Sequence, residues 1–77
     1  MEIEKVKSSM IKKIGYDDSN DALFIHFKSN DAIWRYENVD DIMWKKFKNS
    51  KSKGKFFWKN IKGAYIEKKV KAMIPEE

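Results

Sequence analysis

The chain has 77 residues, no cysteine, a hydrophobic share of 42% and a formal net charge of +5. This length allows one small domain, and the hydrophobic share is too high for a disordered tail. No apolar run approaches the ~20 residues that a membrane-spanning helix needs. The charged N-terminal residues are not followed by the apolar segment of a signal peptide. We therefore expect one cytoplasmic domain over residues 1–77, with a folded core at about 6–65 and a tail at about 66–77.

Three segments predict an antiparallel β-meander. Residues 10–16 carry apolar side chains at strand spacing, although Lys12 interrupts the alternation. Residues 22–28 alternate cleanly between two faces, and residues 32–37 form the return strand. The segments are joined by short turns rich in Asp, Ser and Asn, residue types that bond to their own backbone and tolerate positive φ.

Two helices are predicted after the strands. Asn38 is the expected N-cap of the first, which should end near residues 49–50. Ser52 is the expected cap of a second, shorter helix, and Gly63 is placed to end it. The helices should cover one face of the sheet, with a predicted core of Leu23, Ile25, Phe27, Ile42, Met43, Phe47, Phe57 and Ile61.

The tail allows two interpretations. Ile66, Val70, Met73 and Ile74 fit an amphipathic helix, but alternation around Lys68 also fits an edge strand. Residues 75–77 are expected to fray. The predicted fold class is therefore α+β: a small antiparallel sheet of three or four strands with one or two helices packed on one face.

The residues that carry chemistry give little support for catalysis. His26 is the only histidine, lies within a predicted strand and has no cysteine to pair with. The acidic run at residues 17–21 lacks the glycine and the terminal glutamate of a calcium-binding loop, so a turn is expected there. We expect a non-enzymatic protein with no metal, no cofactor and no small-molecule substrate.

The charge is distributed unevenly along the chain. Residues 1–44 have a net charge of −3, whereas residues 45–77 carry eleven lysines and three acids, a net of +8. Such asymmetry predicts a positive surface that attracts anions. The alternative, that lysine-rich usage reflects AT-biased codons, stays open.

Aromatic side chains lie between these lysines, and aromatic rings can stack on bases while lysines contact phosphate. The leading hypothesis is an accessory module that binds RNA or single-stranded DNA. The expected site comprises Lys51, Lys53, Lys55, Lys59 and Lys62 for phosphate, with Trp58 or Trp34 for stacking. Further candidate rings are Tyr36, Trp44 and Phe56. The alternative is a protein-interaction module, such as a phage factor that binds a host protein, because a surplus of aromatic residues also marks protein interfaces.

Several segments in order along the chain resemble the KTSC domain. The N-terminal part of the resemblance is Val6-Lys7-Ser8-Ser9-Met10-Ile11, Ile14-Gly15-Tyr16-Asp17 and Leu23-Phe24-Ile25-His26-Phe27. The family's central Tyr-x-Tyr corresponds to Trp34-Arg35-Tyr36, and its Ser-x-Gly-x-aromatic-Phe-x-x-x-Ile segment corresponds to residues 52–61. The resemblance covers roughly residues 6–65.

The KTSC domain occurs alone in bacterial and phage proteins and at the C-terminus of some lysyl-tRNA synthetases. The resemblance implies a fold and, through a proposal made for the family by analogy, RNA binding. Three positions depart from the family's pattern: Trp34 stands at the first tyrosine, Asp40 where proline usually follows the helix-leading valine, and Trp58 where a polar residue is common. Trp58 adds either a stacking ring or a hydrophobic contact private to this protein.

Overall fold

The computed structural model describes residues 1–73 and has an α+β architecture. Five antiparallel strands follow one another across a single sheet, in the order β1 to β5. The strands are β1 Glu2–Lys5, β2 Ile11–Asp17, β3 Ala22–Phe27, β4 Ile33–Tyr36 and β5 Glu67–Val70. Between β4 and β5 lie α1, Asp41–Lys48, and α2, Lys53–Phe56, which continues directly into a π-helical turn, Phe57–Ile61.

The core lies between one face of this sheet and the helices, as the alternation of β3 predicts. Leu23 and Ile25 are fully buried, and Phe27 packs against the same cluster. The helical side contributes Phe47, Phe57 and Ile61, each no more than 2% exposed. Phe57 meets the rings of both Phe27 and Tyr36 edge to face, at centroid distances of 5.3 and 5.8 Å.

A β-bulge in β2 explains why the alternation fails at Lys12. The pairing of β2 with β3 shifts register between Ile11 and Lys13. The extra residue lets both Ile11 and Ile14 face the core, while Lys12 is exposed.

Asp40, not Asn38, is the N-cap of α1, so the predicted cap is wrong. Asn38 has a left-handed backbone with φ of 57°. Val39 is fully buried, and its N–H donates to the carbonyl of Asp21 at 2.8 Å. Because Val39 is held in the core, the helix begins two residues later than predicted. The Oδ1 of Asp40 then accepts from the N–H of Met43 at 2.9 Å.

The buried face of α1 differs from the predicted one, and one predicted core residue, Ile42, is wrong. Ile42 is 61% exposed, whereas Trp44, which the predicted stripe left out, is 2% exposed. Trp44 stacks on Tyr16 with ring centroids 5.4 Å apart. The predicted end of the helix is confirmed, because Asn49 is the C-cap.

The second helical segment, residues 53–61, begins and ends as predicted. The Oγ of Ser52 accepts from the N–H of Lys55 at 3.3 Å, and Gly63 follows the segment with a φ of 80°. The π-helical turn is closed by the N–H of Lys62, which donates to the carbonyl of Phe57 at 2.8 Å. π-Helical turns are rare in proteins, and many of those that do occur lie at functional sites.

The sheet has more strands than predicted. β1 was not expected, because Glu2–Lys5 carries three charged residues among four. β5 confirms the edge-strand interpretation of the tail at residues 67–70. The frayed end expected for residues 75–77 lies outside the described residues, as does Ile74. Within residues 1–73, neither helix is long and apolar enough to cross a membrane.

Candidate functional site

An open groove of about 830 Å³ lies between the turn that precedes β2 and the beginning of the second helical segment. Five lysines and a tryptophan dominate its lining: Lys7, Lys51, Lys53, Lys55, Lys59 and Trp58. The remaining lining residues are small, polar or flexible: Ser8, Ser9, Met10, Ser52 and Gly54. None of the described residues that line this groove is acidic. We call it the lysine groove.

Local hydrogen bonds fix both walls of the lysine groove. On the N-terminal wall the Oγ of Ser8 accepts from the N–H groups of Met10 and Ile11, at 3.1 and 3.2 Å. On the other wall the Oγ of Ser52 caps α2. The walls meet at Gly54, where an added Cβ would lie 3.6 Å from the Sδ of Met10. The lysines are therefore mounted on two packed turns.

Most lysines of the groove have no acidic partner among the described residues, which is also true of some lysines elsewhere, such as Lys46. Within residues 1–73, no carboxylate lies within 4 Å of the ammonium of Lys7, Lys51, Lys55 or Lys59. Lys53 donates instead to the carbonyl of Ser50. Outside the groove, several lysines have acidic partners: Lys12 with Asp31, Lys45 with Asp41, Lys48 with Glu2, Lys62 with Glu67 and Lys68 with Glu37.

Trp58 is the exposed ring of the site. Its side chain is 61% exposed, although it is anchored edge to face on the buried Phe57 at a centroid distance of 5.9 Å. The ammonium of Lys62 lies 5.9 Å from the centroid of the Trp58 ring. Exposure of this large apolar ring to water is unfavourable. Because the ring is held in place, its exposed face can stack on another flat ring.

A second, smaller cleft adjoins the lysine groove on the far side of Trp58. Its volume is about 270 Å³, and it shares Met10 and Trp58 with the groove. Aromatic side chains form most of its lining, which comprises Met10, Phe27, Ser29, Trp34, Tyr36, Phe57, Trp58, Lys62 and Glu67. We call it the aromatic cleft. Burial and the charge of Glu67 raise the pKa of Tyr36, so its hydroxyl stays protonated at neutral pH.

The seven residues predicted from the sequence occupy these two neighbouring cavities. Lys51, Lys53, Lys55 and Lys59 line the lysine groove with Trp58, while Lys62 and Trp34 line the aromatic cleft. Of the further candidate rings, Trp44 belongs to α1 and is buried, and Phe56 packs against Phe47 with ring centroids 5.4 Å apart. Tyr36 is 2% exposed.

Sequence reasoning missed the N-terminal wall of the groove. Lys7 and Ser9 lie in the acidic half of the chain, so the charge asymmetry did not indicate them. The signal that could have found them is the resemblance itself, because Lys7-Ser8-Ser9 is its first motif.

His26 alternates with Ile25 and Phe27 along β3, so it lies on the face of the sheet opposite the helices. Its Nε2 is 2.6 Å from the Oδ1 of Asp31, and its side chain is 11% exposed. The hydrogen bond with His26 and the nearby charge of Lys12 lower the pKa of Asp31. No group of three or more His, Cys, Asp or Glu residues within 1–73 could hold a metal ion.

Comparison with known proteins gives the class of this domain. The KTSC domain model matches residues 7–65, and the chain belongs to the KTSC domain family. A crystal structure of a KTSC domain protein from Yersinia pestis is similar, with a TM-score of 0.86 and 34% identity. The match covers 91% of this chain and 97% of the Yersinia pestis chain. None of the curated proteins compared with the chain matches it.

The fold brings two distant family segments together. Lys7-Ser8-Ser9 forms the N-terminal wall of the lysine groove, and Ser52-Lys53-Gly54 forms the opposite wall. More than forty residues, which include strands β2, β3 and β4, separate these two segments along the chain.

Proposed function

We propose that this protein is a non-enzymatic accessory module that binds RNA or single-stranded DNA in the lysine groove. The observation that supports the proposal is a groove lined by five lysines and, within residues 1–73, by no acid, with the exposed ring of Trp58 at its edge. Ammonium groups without carboxylate partners attract polyanions. A cytoplasmic location is part of the proposal.

The arrangement favours a single strand over a duplex. Stacking on Trp58 requires a base whose face is accessible, and bases within a duplex are already stacked on their neighbours. The groove contains lysine and no arginine, so its contacts with phosphate are point charges and carry no sequence information. Along the lysine groove, binding should therefore be governed by the backbone.

Fluorescence anisotropy with a labelled eight-nucleotide strand at several salt concentrations tests the proposal. If about five phosphates are neutralised, log Kd against log salt should have a slope magnitude of roughly 3.5, at about 0.7 per phosphate. Affinity should then fall about 100-fold between 50 and 200 mM salt. Absence of binding at 50 mM salt, or an affinity that salt leaves unchanged, would contradict the proposal.

The same surface raises the alternative of a protein partner, since an exposed tryptophan is a common anchor at interfaces. A pull-down from lysate with and without nuclease separates the two cases. Loss of the captured material after nuclease treatment supports the nucleic-acid proposal. Capture of a single protein that survives nuclease, and that is lost in Trp58→Ala, would replace it with the protein-interaction alternative.

A further inference from the structure

The aromatic cleft is large enough for one flat ring and is lined mainly by aromatic side chains. Its volume of about 270 Å³ is close to the lower end of small-molecule pockets, which begin at about 300 Å³. Trp34 and Trp58 both line it, and Phe57 closes it from the core. Because the cleft shares Trp58 with the lysine groove, a strand in the groove would bring a neighbouring base to its mouth.

Beside Ser29 and Tyr36, whose side chains carry hydroxyls, the cleft has two charged lining residues, Lys62 and Glu67. The Oε1 of Glu67 lies 4.0 Å from the Nζ of Lys62, and the two side chains are 32% and 46% exposed. This separation is too long for a strong hydrogen bond, so both groups can take new partners. Side by side, they offer two carboxylate oxygens that accept hydrogen bonds and one ammonium that donates.

Among the common bases, guanine is complementary to this pair. Its Watson–Crick edge presents two adjacent donors, N2–H and N1–H, followed by the acceptor O6. Adenine and cytosine each present one amino donor beside a ring acceptor, and uracil presents one N–H between two carbonyl acceptors. Guanine therefore engages both oxygens of Glu67 and the ammonium of Lys62 together, whereas each other base engages only one oxygen of Glu67 beside the ammonium.

We propose that the aromatic cleft is a base-recognition subsite that selects guanine within a single strand bound along the lysine groove. This inference rests on the proposed function, because the lysine groove supplies the strand. In this arrangement Glu67 accepts from N1–H and N2–H, Lys62 donates to O6, and Trp58 separates the selected base from the backbone contacts. Selectivity then comes from one cleft, while most of the affinity comes from phosphate.

Anisotropy titrations with strands that differ at one base test the subsite. The probes are an eight-nucleotide uracil strand and the same strand with one central guanine, hypoxanthine, adenine or cytosine. A bidentate base contact discriminates by about 5- to 150-fold, so the guanine strand should bind at least fivefold more tightly than the uracil strand. Hypoxanthine lacks only the N2 amino group, and it should lose most of that preference.

Glu67→Gln and Glu4→Gln form a charge-matched pair of variants. Both remove one negative charge, but Glu4 lies on β1, at the other edge of the sheet from β5. Because an amide offers one acceptor oxygen instead of two, Glu67→Gln should abolish the guanine preference. It should leave the affinity for the uracil strand within about twofold. Glu4→Gln should keep the preference, and a thermal melt checks that both variants fold.

The outcomes separate this inference from the proposed function. Equal binding of all five strands would overturn the guanine subsite and leave the proposed function standing. A guanine preference that survives in Glu67→Gln would overturn the assignment to this cleft. If no strand binds at 50 mM salt, both proposals fail.

Discussion

The two helical segments of this protein are similar in composition and opposite in the exposure of their tryptophans. Each contains a tryptophan, a phenylalanine anchored in the core and several lysines. In α1 the tryptophan is 2% exposed, whereas Trp58 in residues 53–61 is 61% exposed. Lys45 and Lys48 of α1 have acidic partners, whereas Lys55 and Lys59 have none within residues 1–73.

This difference teaches that composition alone does not determine whether the tryptophan of a helical segment is buried or exposed. The acids that pair with α1 come from its own first turn, Asp41, and from β1, Glu2. The second segment has no acidic residue, and it faces the lysine-bearing turn at Ser8–Ser9. We infer that α1 stabilises the fold and that residues 53–61 present the binding surface.

Removal of the core anchors should have the largest effect and should be similar in both segments. Phe47→Ala and Phe57→Ala each delete a ring that is at most 2% exposed, so each should lower the free energy of unfolding by about 3–5 kcal/mol. Ile25→Ala, at a fully buried strand position, should cost about 2–5 kcal/mol. Urea denaturation measures these changes. Ile42→Ala, at a 61% exposed position, is the control and should cost less than about 0.5 kcal/mol; near-native stability of Phe47→Ala would refute the core described above.

The two tryptophans should behave in opposite ways. Trp44→Ala removes a buried ring that stacks on Tyr16 and donates to the Oε1 of Glu2 at 3.2 Å, so it should cost about 3–5 kcal/mol of stability. Trp58→Ala should leave stability almost unchanged but weaken single-strand binding by about 5- to 150-fold, the range for loss of one stacked base. Thermal melts and anisotropy measure the two effects. Equal loss of stability in both variants would remove the distinction between the segments.

Charge-matched triple variants test where the polyanion binds. Each phosphate contact adds roughly fivefold in affinity at 0.1 M salt, from a slope of about 0.7 per contact. The triple variant Lys51→Gln, Lys55→Gln, Lys59→Gln should therefore lose about 100-fold in affinity. The same three-charge change on α1, at Lys45, Lys46 and Lys48, should cost less than about fivefold. Similar losses in both would mean that net charge, not the groove, determines binding.

The smallest effect concerns the ion pair between Lys48 and Glu2, whose Nζ–Oε2 distance is 2.9 Å. The hydrogen bond from Lys48 is the main cause that lowers the pKa of Glu2 below its ordinary 4.5. As the pH falls below about 4.5, Glu2 therefore becomes protonated in the unfolded chain before it does in the folded protein. The stability that the ion pair contributes is lost as the pH falls through the folded-state pKa of Glu2. At pH 7, Lys48→Gln should cost about 0.2–1 kcal/mol, as for other exposed pairs.

Urea denaturation of wild type and Lys48→Gln at pH 7, 5 and 3 measures this contribution. The difference in the free energy of unfolding should be present at pH 7 and 5 and should shrink at pH 3. Lys46→Gln is the control on the same helix, because no carboxylate within residues 1–73 lies within 4 Å of Lys46. A difference that grows as the pH falls would contradict the assigned role of the pair.

The site was partly predictable because several of its residues are neighbours in the chain. Lys51, Lys53 and Lys55 alternate within five residues, and Trp58 follows three residues later. Lys7 was not predictable from the charge asymmetry, because it belongs to the half of the chain with a net negative charge and lines the groove only through the packing of Met10 near Gly54. Glu67 enters the aromatic cleft because β5 pairs with β4, which places it beside Tyr36.

By itself, the sequence determined the central strands, the end of α1, the Ser52 cap and the resemblance to the family. These features depend on local periodicity and on side chains that bond to their own backbone, so neighbouring residues carry the information. Only the tertiary structure decided that α1 begins at Asp41, that Trp44 is buried while Trp58 is exposed, and that β1 and β5 complete the sheet. Each depends on contacts between segments distant in the chain, and such contacts leave no periodic signal in the segment itself.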